Sequence, residues 1–167
     1  ISEVIYSVTD IDKRVSNKSF KILNSKKIIV KKGLLKNKIE NFYYPYFFNR
    51  KKKLPYVTGK IAISKNNIIY TNYQKKITNI YSDMFSHLLR YQNDCLMITY
   101  KTLNKDNPRL NCRLRGVKNF SPKRIILDNN LNTKTNSYII KSSNNKNTLI
   151  FYNKADKSKI SKFKRKG

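Results

Sequence analysis

The sequence is poor in the residues that build disulfide frameworks, metal sites and glycine-rich nucleotide loops. Its 167 residues include one His, two Cys, four Gly, four Pro and no Trp. Two cysteines give neither a disulfide framework nor a metal-ligand spacing, and there is no Gly-x-Gly-x-x-Gly stretch. Cys95 lies in an apolar run, so we expect a buried, reduced thiol. Phosphate groups would have to be bound by side chains and helix N-termini.

Acidic residues are also scarce. Nine Asp and Glu stand against 37 Lys and Arg, which gives a formal net charge of +28. Such a charge would ordinarily indicate nucleic acid or an anionic membrane as the partner. Here the lysines are scattered, and Asn, Ile, Tyr and Phe are abundant, a bias typical of A+T-rich coding sequence. We therefore do not expect a nucleic-acid partner, although the charge would attract anionic small molecules.

Long apolar runs are missing as well. None approaches the length needed to cross a membrane, and no signal peptide opens the chain. We therefore predict a cytoplasmic protein without membrane contact. The single histidine, His87, lies beside two leucines in a helical stretch, and we interpret it as a helix-surface or core residue instead of a metal ligand.

The first 49 residues alternate strand and helix patterns, which is typical of a parallel sheet. Ser16 is a suitable N-cap for the first helix, and Pro45 should end or kink the second. Residues 49–53 form a charged connector without apolar periodicity, and we place a domain boundary there. The predicted strands are residues 4–8 and 28–30, and the predicted helices are residues 17–24 and 34–43.

The rest of the chain carries five short strand patterns and two helices, which predicts an α/β fold. The first of these helices, capped by Thr78 or Asn79, should turn its apolar residues inward. The helix should carry Ile80, Met84 and Leu88 inward, together with His87. The predicted strands are residues 56–64, 94–99, 123–128, 137–140 and 148–152, and the helices are residues 79–91 and 155–166.

Polar residues follow the strand at residues 94–99. Thr102, Asp106, Arg109 and Arg113 come after it, and no helix can pass through the Asn-Pro turn that follows Asp106. Ligands of open α/β sheets bind at the carboxyl ends of strands, and guanidinium groups suit phosphate. We therefore expect an anion site here.

The same segment carries a family resemblance. Residues 101–113 read KTLNKDNPRLNCR and resemble the reductase domain of the bifunctional riboflavin-biosynthesis deaminase/reductase family, whose pattern is roughly T-V-x-x-D-(D/N)-P-x-L-T-x-R. Residues 54–64, LPYVTGKIAIS, are similar to that family's opening strand, P-Y-V-T-x-K-x-A-x-S. Residues 76–78, 89–90 and 113–116 fall in the family's order too. The resemblance extends from about Leu54 to Asp156.

The first 49 residues are similar to the last part of the same family's deaminase domain. The family's zinc signature, a His-x-Glu followed by two cysteines, is not in this sequence, so zinc is expected only in a missing deaminase part. The resemblance implies a fragment: residues 1–49 are the remnant of a cytidine-deaminase-like α/β domain, residues 50–55 a linker, and residues 56–167 the N-terminal portion of a dihydrofolate-reductase-like sheet domain.

The resemblance implies an oxidoreductase. It would use NADPH to reduce 5-amino-6-(5-phosphoribosylamino)uracil to the ribitylamino product, by hydride transfer to ribose C1. It also implies a homodimer through the reductase domain. On positions that match the family motifs, Lys60 would polarise the opened sugar. NADPH would contact Ala62, Lys76, Thr102 and Asp106, and the phosphorylated ribosylaminopyrimidine would contact Gln74, Arg90, Leu110 and Arg113.

Some residues depart from the family pattern. The family's Ser-x-Asp-Gly is here Ser64-Lys65-Asn66-Asn67, and its Ser-x-Trp-Ile-Thr is residues 74–78, QKKIT, without the Trp. Leu110 could be a core residue, Thr102 a cap and Asp106 an Asx turn. Two alternatives to the reductase stay open: a basic nucleic-acid-binding protein, and an inactive relative that keeps the fold.

Overall fold

The computed structural model describes residues 1–69 and 77–166. It divides into two compact units, residues 1–61 and 62–167. Both are α/β with parallel strands. The domain limits inferred from the sequence, 1–49, 50–55 and 56–167, stay a prediction.

The first unit contains a two-stranded parallel sheet and three helices. Strands β1 (Glu3–Tyr6) and β2 (Ile29–Lys32) pair from Glu3 with Ile29 to Tyr6 with Lys32. After β2, the backbone N–H of Gly33 donates to the carbonyls of Tyr6 (3.0 Å) and Ser7 (3.1 Å). Gly33 has a φ of 97°, which a residue with a side chain rarely adopts, so the chain turns away from the sheet here. The elements are β1 (Glu3–Tyr6), α1 (Lys18–Ser25), β2 (Ile29–Lys32), α2 (Lys36–Phe42) and α3 (Tyr44–Lys52).

Two expectations for this unit were wrong. Ser16 does not cap α1: the N-cap is Asn17, in the left-handed conformation and without a side-chain cap bond. Ser16 belongs to the preceding turn, where its backbone N–H donates to the carbonyl of Asp12 at 2.8 Å. Residues 49–53 are not an irregular connector, since α3 continues through Lys52. Its last turn is basic, which suits the partial negative charge of a helix C-terminus. The effect predicted for Pro45 is confirmed, because α2 ends at Phe42 and the proline lies in the first turn of α3.

The described part of the second unit contains a three-stranded parallel sheet in the order β3 (Cys95–Thr99), β4 (Lys123–Leu127) and β5 (Thr148–Phe151). Asn79 caps α4 by accepting from the N–H of Ser82 at 2.9 Å, as predicted. The strands at 94–99, 123–128 and 148–152 and the two helices are confirmed to within two residues. The elements are α4 (Ile80–Gln92), β3 (Cys95–Thr99), α5 (Tyr100–Asp106), β4 (Lys123–Leu127), α6 (Tyr138–Lys141), β5 (Thr148–Phe151) and α7 (Lys157–Lys164).

Two predicted strands are absent from the described residues. Residues 56–64 are irregular and largely exposed, because a strand needs a partner for its backbone groups and none pairs with them here. Instead, Ser64 closes a turn by donating its N–H to the carbonyl of Ile68 at 2.9 Å. Residues 138–140 belong to helix α6, whose two isoleucines are both buried, and Ser137 is its N-cap. The Asn107 side chain accepts the N–H of Tyr138 at 2.7 Å and so fixes the start of that helix.

The core of this unit lies on one face of the sheet. It consists of Leu103, Leu110, Ile126, Ile139 and Ile140, with Leu96, Ile98, Tyr100, Ile150 and Phe163 packed against it. Alternate strand residues point to opposite faces, and the other face is open. Met97, Leu127, Leu149 and Phe151 on that face are 57, 41, 46 and 57 % exposed.

Two expectations about burial were wrong as a result. Cys95 is exposed instead of buried, because it shares the open face of β3 with Met97. On α4, Ile80, Met84 and Leu88 are also exposed, while His87 is buried. The helix turns its His87 side toward residues 111–113, which leaves the apolar residues outside. None of the helices in the described ranges has the length and apolar character needed to span a bilayer.

Candidate anion-binding site

Helix α5 begins at the carboxyl end of β3 and carries two of the predicted cofactor-binding residues. The hydroxyl of Thr99 caps the helix by accepting the N–H of Thr102, and the two threonine hydroxyls are 3.4 Å apart. Thr102 is exposed in the first turn, and Asp106 is exposed as the last helical residue. The helix ends as predicted before Pro108, with Asn107 in the left-handed conformation at φ 43°. A hydroxyl and a carboxylate therefore face solvent from one short helix.

Arg90 and Arg113 meet at a third residue, Asn111. Arg90, in the last turn of α4, donates from Nη1 to the backbone carbonyl of Asn111 at 3.1 Å. Arg113 donates from Nη1 to the side-chain Oδ1 of the same asparagine at 3.2 Å. The two arginines are 23 positions apart in sequence, and the structure brings both guanidinium groups to one amide residue. We call Arg90, Asn111 and Arg113 the arginine pair site.

Among the described residues, the two arginines of this site have no carboxylate in salt-bridge contact. Burial, followed by the positive charge of Arg113, lowers the pKa of Arg90. Asp83 acts in the opposite direction with a smaller effect. Two cations held close together by neutral acceptors would be stabilised by an anion such as a phosphate group.

His87 lies directly behind the arginine pair site. Its Nδ1 accepts the backbone N–H of Arg113 at 3.2 Å and is 3.5 Å from Nη1 of Arg90. Its side chain is buried, which confirms the core interpretation of this residue. Burial, then the charges of Arg90 and Arg113, lower the pKa of His87 below its ordinary value. Sequence reasoning did not connect His87 with the site, although a His and an Arg three positions apart on a helix lie on one face.

The other residues predicted for the site have separate locations. The backbone N–H of Arg113 donates to His87 of α4, whereas Thr102 and Asp106 lie on α5. Leu110 is 6 % exposed and belongs to the core cluster, which supports its alternative interpretation. Ala62 is half-buried, and Lys60 is exposed in the first unit. Gln74 and Lys76 lie outside the described residues.

The hydrogen bonds that hold the loop after β4 were also not predicted from the sequence. The carboxylate of Asp128, 1 % exposed, accepts the N–H groups of Asn132 (2.9 Å) and Thr133 (2.7 Å) and the hydroxyl of Thr133 (2.6 Å). Asn104 on α5 donates to the carbonyl of Asn132 and accepts the N–H of Lys134, both at 2.9 Å. An Asp at a strand end followed by small polar residues is the signal that could have found this turn.

Arg109, which the sequence also offered for phosphate, has a different neighbour. Its guanidinium carbon lies 5.1 Å from the ring centre of Tyr138, at the start of α6. This distance is typical of a cation stacked on an aromatic face. Arg109 is exposed and is a further planar cation on the surface of the second unit.

The fold and these residues define an α/β protein of parallel sheets with a cationic, phosphate-compatible site. Comparison with known protein families identifies the family. Residues 55–165 match the model of the RibD C-terminal domain, so the chain belongs to that family. The match covers the second unit and the arginine pair site. The predicted α/β fold class and the predicted family are thereby confirmed.

Relatives of known name agree with this assignment. The riboflavin biosynthesis protein RibD of Actinobacillus pleuropneumoniae is 27 % identical over 166 residues, which are 98 % of this chain and 44 % of that protein. RibD of Bacillus amyloliquefaciens is 31 % identical over 133 residues, 78 % of this chain and 36 % of that protein. The chain thus spans less than half the length of these curated relatives.

Solved structures share the fold. A crystal form of Acinetobacter baumannii RibD superposes with a TM-score of 0.79 at 19 % identity, over 98 % of this chain and 46 % of that one. A Thermotoga maritima diaminohydroxyphosphoribosylaminopyrimidine deaminase/5-amino-6-(5-phosphoribosylamino)uracil reductase gives 0.71 at 23 % identity, over 91 % and 42 %. At these identities the likeness concerns the fold.

Proposed function

We propose that this chain takes part in riboflavin biosynthesis as an NADPH-dependent reductase of 5-amino-6-(5-phosphoribosylamino)uracil. The observation that carries the proposal is the arginine pair site, where two guanidinium groups meet at Asn111 inside a RibD C-terminal domain without a salt bridge to any carboxylate among the described residues. A phosphorylated substrate supplies the anion that such a pair would bind. Family membership also favours this function over a basic nucleic-acid-binding protein.

In this proposal Arg90 and Arg113 bind the phosphorylated ribosylaminopyrimidine. Both described hydrogen bonds to Asn111 use Nη1, so the other N–H groups of each guanidinium are directed elsewhere and suit phosphate oxygens. We assign Gln74 and Leu110 to the same ligand. Because the Leu110 side chain packs in the core, its contribution would come from its backbone, which has a φ of 53°.

The side chains assigned to NADPH carry chemical groups that suit a dinucleotide. Thr102 presents a hydroxyl and Asp106 a carboxylate, groups that suit ribose hydroxyls, and Arg109 is a planar cation three residues further on. Ala62 and Lys76 complete the proposed set. When bound, the cofactor supplies the hydride for ribose C1, and Lys60 is proposed to polarise the opened sugar. The protein's own task is to align two anionic ligands and exclude water.

The proposal also covers the cellular location, the oligomeric state and the origin of residues 1–49. We propose that the protein acts in the cytoplasm and pairs through the second unit as a homodimer. We propose that residues 1–49 derive from a deaminase domain whose zinc ligands lie elsewhere in the parent protein. Deamination is not assigned to the residues present here.

Turnover tests this function directly. The purified full-length parent protein is mixed with NADPH and 5-amino-6-(5-phosphoribosylamino)uracil, and loss of NADPH absorbance is followed together with formation of the ribitylamino product. We expect substrate-dependent oxidation of NADPH that is lost in an R90Q/R113Q double variant and retained in R115Q, which removes an exposed arginine of the same segment. A chain that binds both ligands without turnover would instead be the inactive relative.

A further inference from the structure

We propose that His87 is a positioning residue, which fixes the geometry of the arginine pair site through a neutral imidazole that accepts hydrogen bonds at Nδ1. The inference rests on the proposed phosphate site and adds a residue that touches neither substrate nor cofactor. It assigns the single histidine of the chain a role in function, in addition to its place in the core.

The donors around the imidazole determine its protonation. Nδ1 of His87 lies 3.2 Å from the backbone nitrogen of Arg113, whose N–H donates to it. Nη1 of Arg90, which can only donate, lies 3.5 Å from the same atom. A ring nitrogen that faces two donors must carry a lone pair, so the ring hydrogen belongs on Nε2.

A second contact fixes the same backbone segment to α4. The thiol of Cys112 lies 3.6 Å from the carbonyl oxygen of His87, and Cys112 is 1 % exposed. The N–H of Cys112 donates to the hydroxyl of Ser121 at 3.0 Å. The side chain and the backbone of His87 therefore contact successive residues of the loop that carries Arg113. Together, the two contacts fix the backbone position of Arg113 relative to α4.

Protonation of His87 would disturb this arrangement in two ways. Nδ1 would become a donor facing the N–H of Arg113, and a third positive charge would be added beside Arg90 and Arg113. The charged groups around the ring are these two arginines and Asp83, one turn earlier on α4, with the Asn111 carbonyl as a neutral neighbour. Burial and the two arginines lower the pKa of His87, so the neutral form persists at neutral pH.

Nitrogen-15 NMR of the histidine ring tests the tautomer. The chain has one histidine, so its ring signals need no assignment by mutation. We expect the Nε2–H tautomer at neutral pH, with Nδ1 in the chemical-shift range of an acceptor nitrogen. An Nδ1–H tautomer, or an imidazolium at neutral pH, would overturn the proposal whether or not the chain is a reductase.

Two isosteric variants separate positioning from mere core packing. In H87N the amide oxygen can occupy the place of Nδ1, whereas in H87Q the amide reaches the place of Nε2. Ribose 5-phosphate is the probe, and its affinity is measured by calorimetry for each variant and for the R115Q control. We expect H87N to stay within about threefold of the parent and H87Q to lose about tenfold, which is the size of effect expected when one hydrogen bond is lost.

The outcomes are distinct. Equal losses in H87N and H87Q, with unchanged thermal unfolding, would overturn a positioning role through Nδ1. If the parent chain fails to bind ribose 5-phosphate, the proposed phosphate site fails, and the histidine tautomer alone then decides whether His87 holds the loop. The phosphate itself takes up a proton at about pH 6, which weakens binding in every variant. A parent affinity that falls more steeply than that of H87N as the pH is lowered would support the role.

Discussion

The carboxylate of Asp128 accepts two hydrogen bonds from one residue, Thr133, through its backbone N–H at 2.7 Å and its hydroxyl at 2.6 Å. Both residues are buried, so the pair closes the loop after β4 away from water. We expect T133V to lower the free energy of unfolding by about 1 to 2 kcal/mol, because a buried charged acceptor loses one donor while the shape is kept. Urea denaturation measures the change.

The exposed neighbour Thr135 supplies the control for that experiment. T135V should change the free energy of unfolding by less than about 0.5 kcal/mol, as is usual for surface positions. Equal effects of T133V and T135V would show that the hydroxyl of Thr133 does not support the loop.

The two faces of the β3-β4-β5 sheet should respond differently to truncation. Ile126 is fully buried in the core, whereas Met97 on the neighbouring strand is 57 % exposed on the opposite face. We expect I126A to cost about 3 kcal/mol from lost burial and the cavity left behind. M97A should cost less than about 1 kcal/mol. Comparable losses in the two variants, measured by denaturation, would mean that the open face is covered in solution.

That open face also bears on the proposed homodimer. Parallel sheets are generally buried on both faces, and here Met97, Leu127, Leu149 and Phe151 are exposed. If this surface forms the dimer interface, M97K/F151K should shift the chain to monomer in sedimentation velocity. Dimerisation that is unchanged in this variant would place the interface elsewhere, and a monomeric parent chain would contradict the predicted dimer.

Arg124 is a buried cation without an acidic partner in the described residues. It donates to the Ser142 hydroxyl (2.8 Å), the Ser142 carbonyl (3.0 Å) and the Asn147 side chain (2.8 Å), and burial lowers its pKa. We expect R124M to cost about 2 to 3 kcal/mol, since these acceptors lose their donor. K123M, at the exposed neighbouring position of β4, should be nearly neutral in the same denaturation assay.

In the first unit, the pH dependence of stability should reflect Asp12. Hydrogen bonds from Arg14, with the nearby charge of Arg50, lower the pKa of the Asp12 carboxyl. A carboxyl with a lowered folded-state pKa contributes stability above its unfolded-state value of about 3.9, and that contribution is lost as the pH falls below it. D12N should therefore be less stable than the parent at neutral pH and should converge with it in acid. A constant difference across pH would rule out this ion pair as the cause.

Much of the fold could be predicted because its patterns are local. Three features depend only on neighbouring residues and were predicted correctly. They are the cap at Asn79, the end of α5 before Pro108, and the apolar runs of β3, β4 and β5. The prediction of a strand at residues 56–64 was wrong, because strand pairing depends on backbone groups that are distant in the sequence. Helix α6 was mistaken for a strand because four residues are too few to distinguish the two periodicities.

The sequence predicted individual residues of the site but not their arrangement in space. Arg90 and Arg113 were both chosen from family motifs, but nothing in the sequence indicates that Asn111 holds them together. The same is true of His87, which bonds to a backbone N–H 26 positions away. The burial of Cys95 was predicted from its apolar neighbours, and it was wrong because one face of this sheet is open.

The arginine pair is tested most directly by binding of ribose 5-phosphate to the 167-residue chain and to R90K, R113K and R115K, measured by calorimetry at fixed low salt. A lysine keeps the charge but loses the planar fork, so R90K and R113K should each weaken binding about tenfold, while R115K stays unchanged. Equal affinities for all four proteins would contradict a phosphate site built from Arg90 and Arg113.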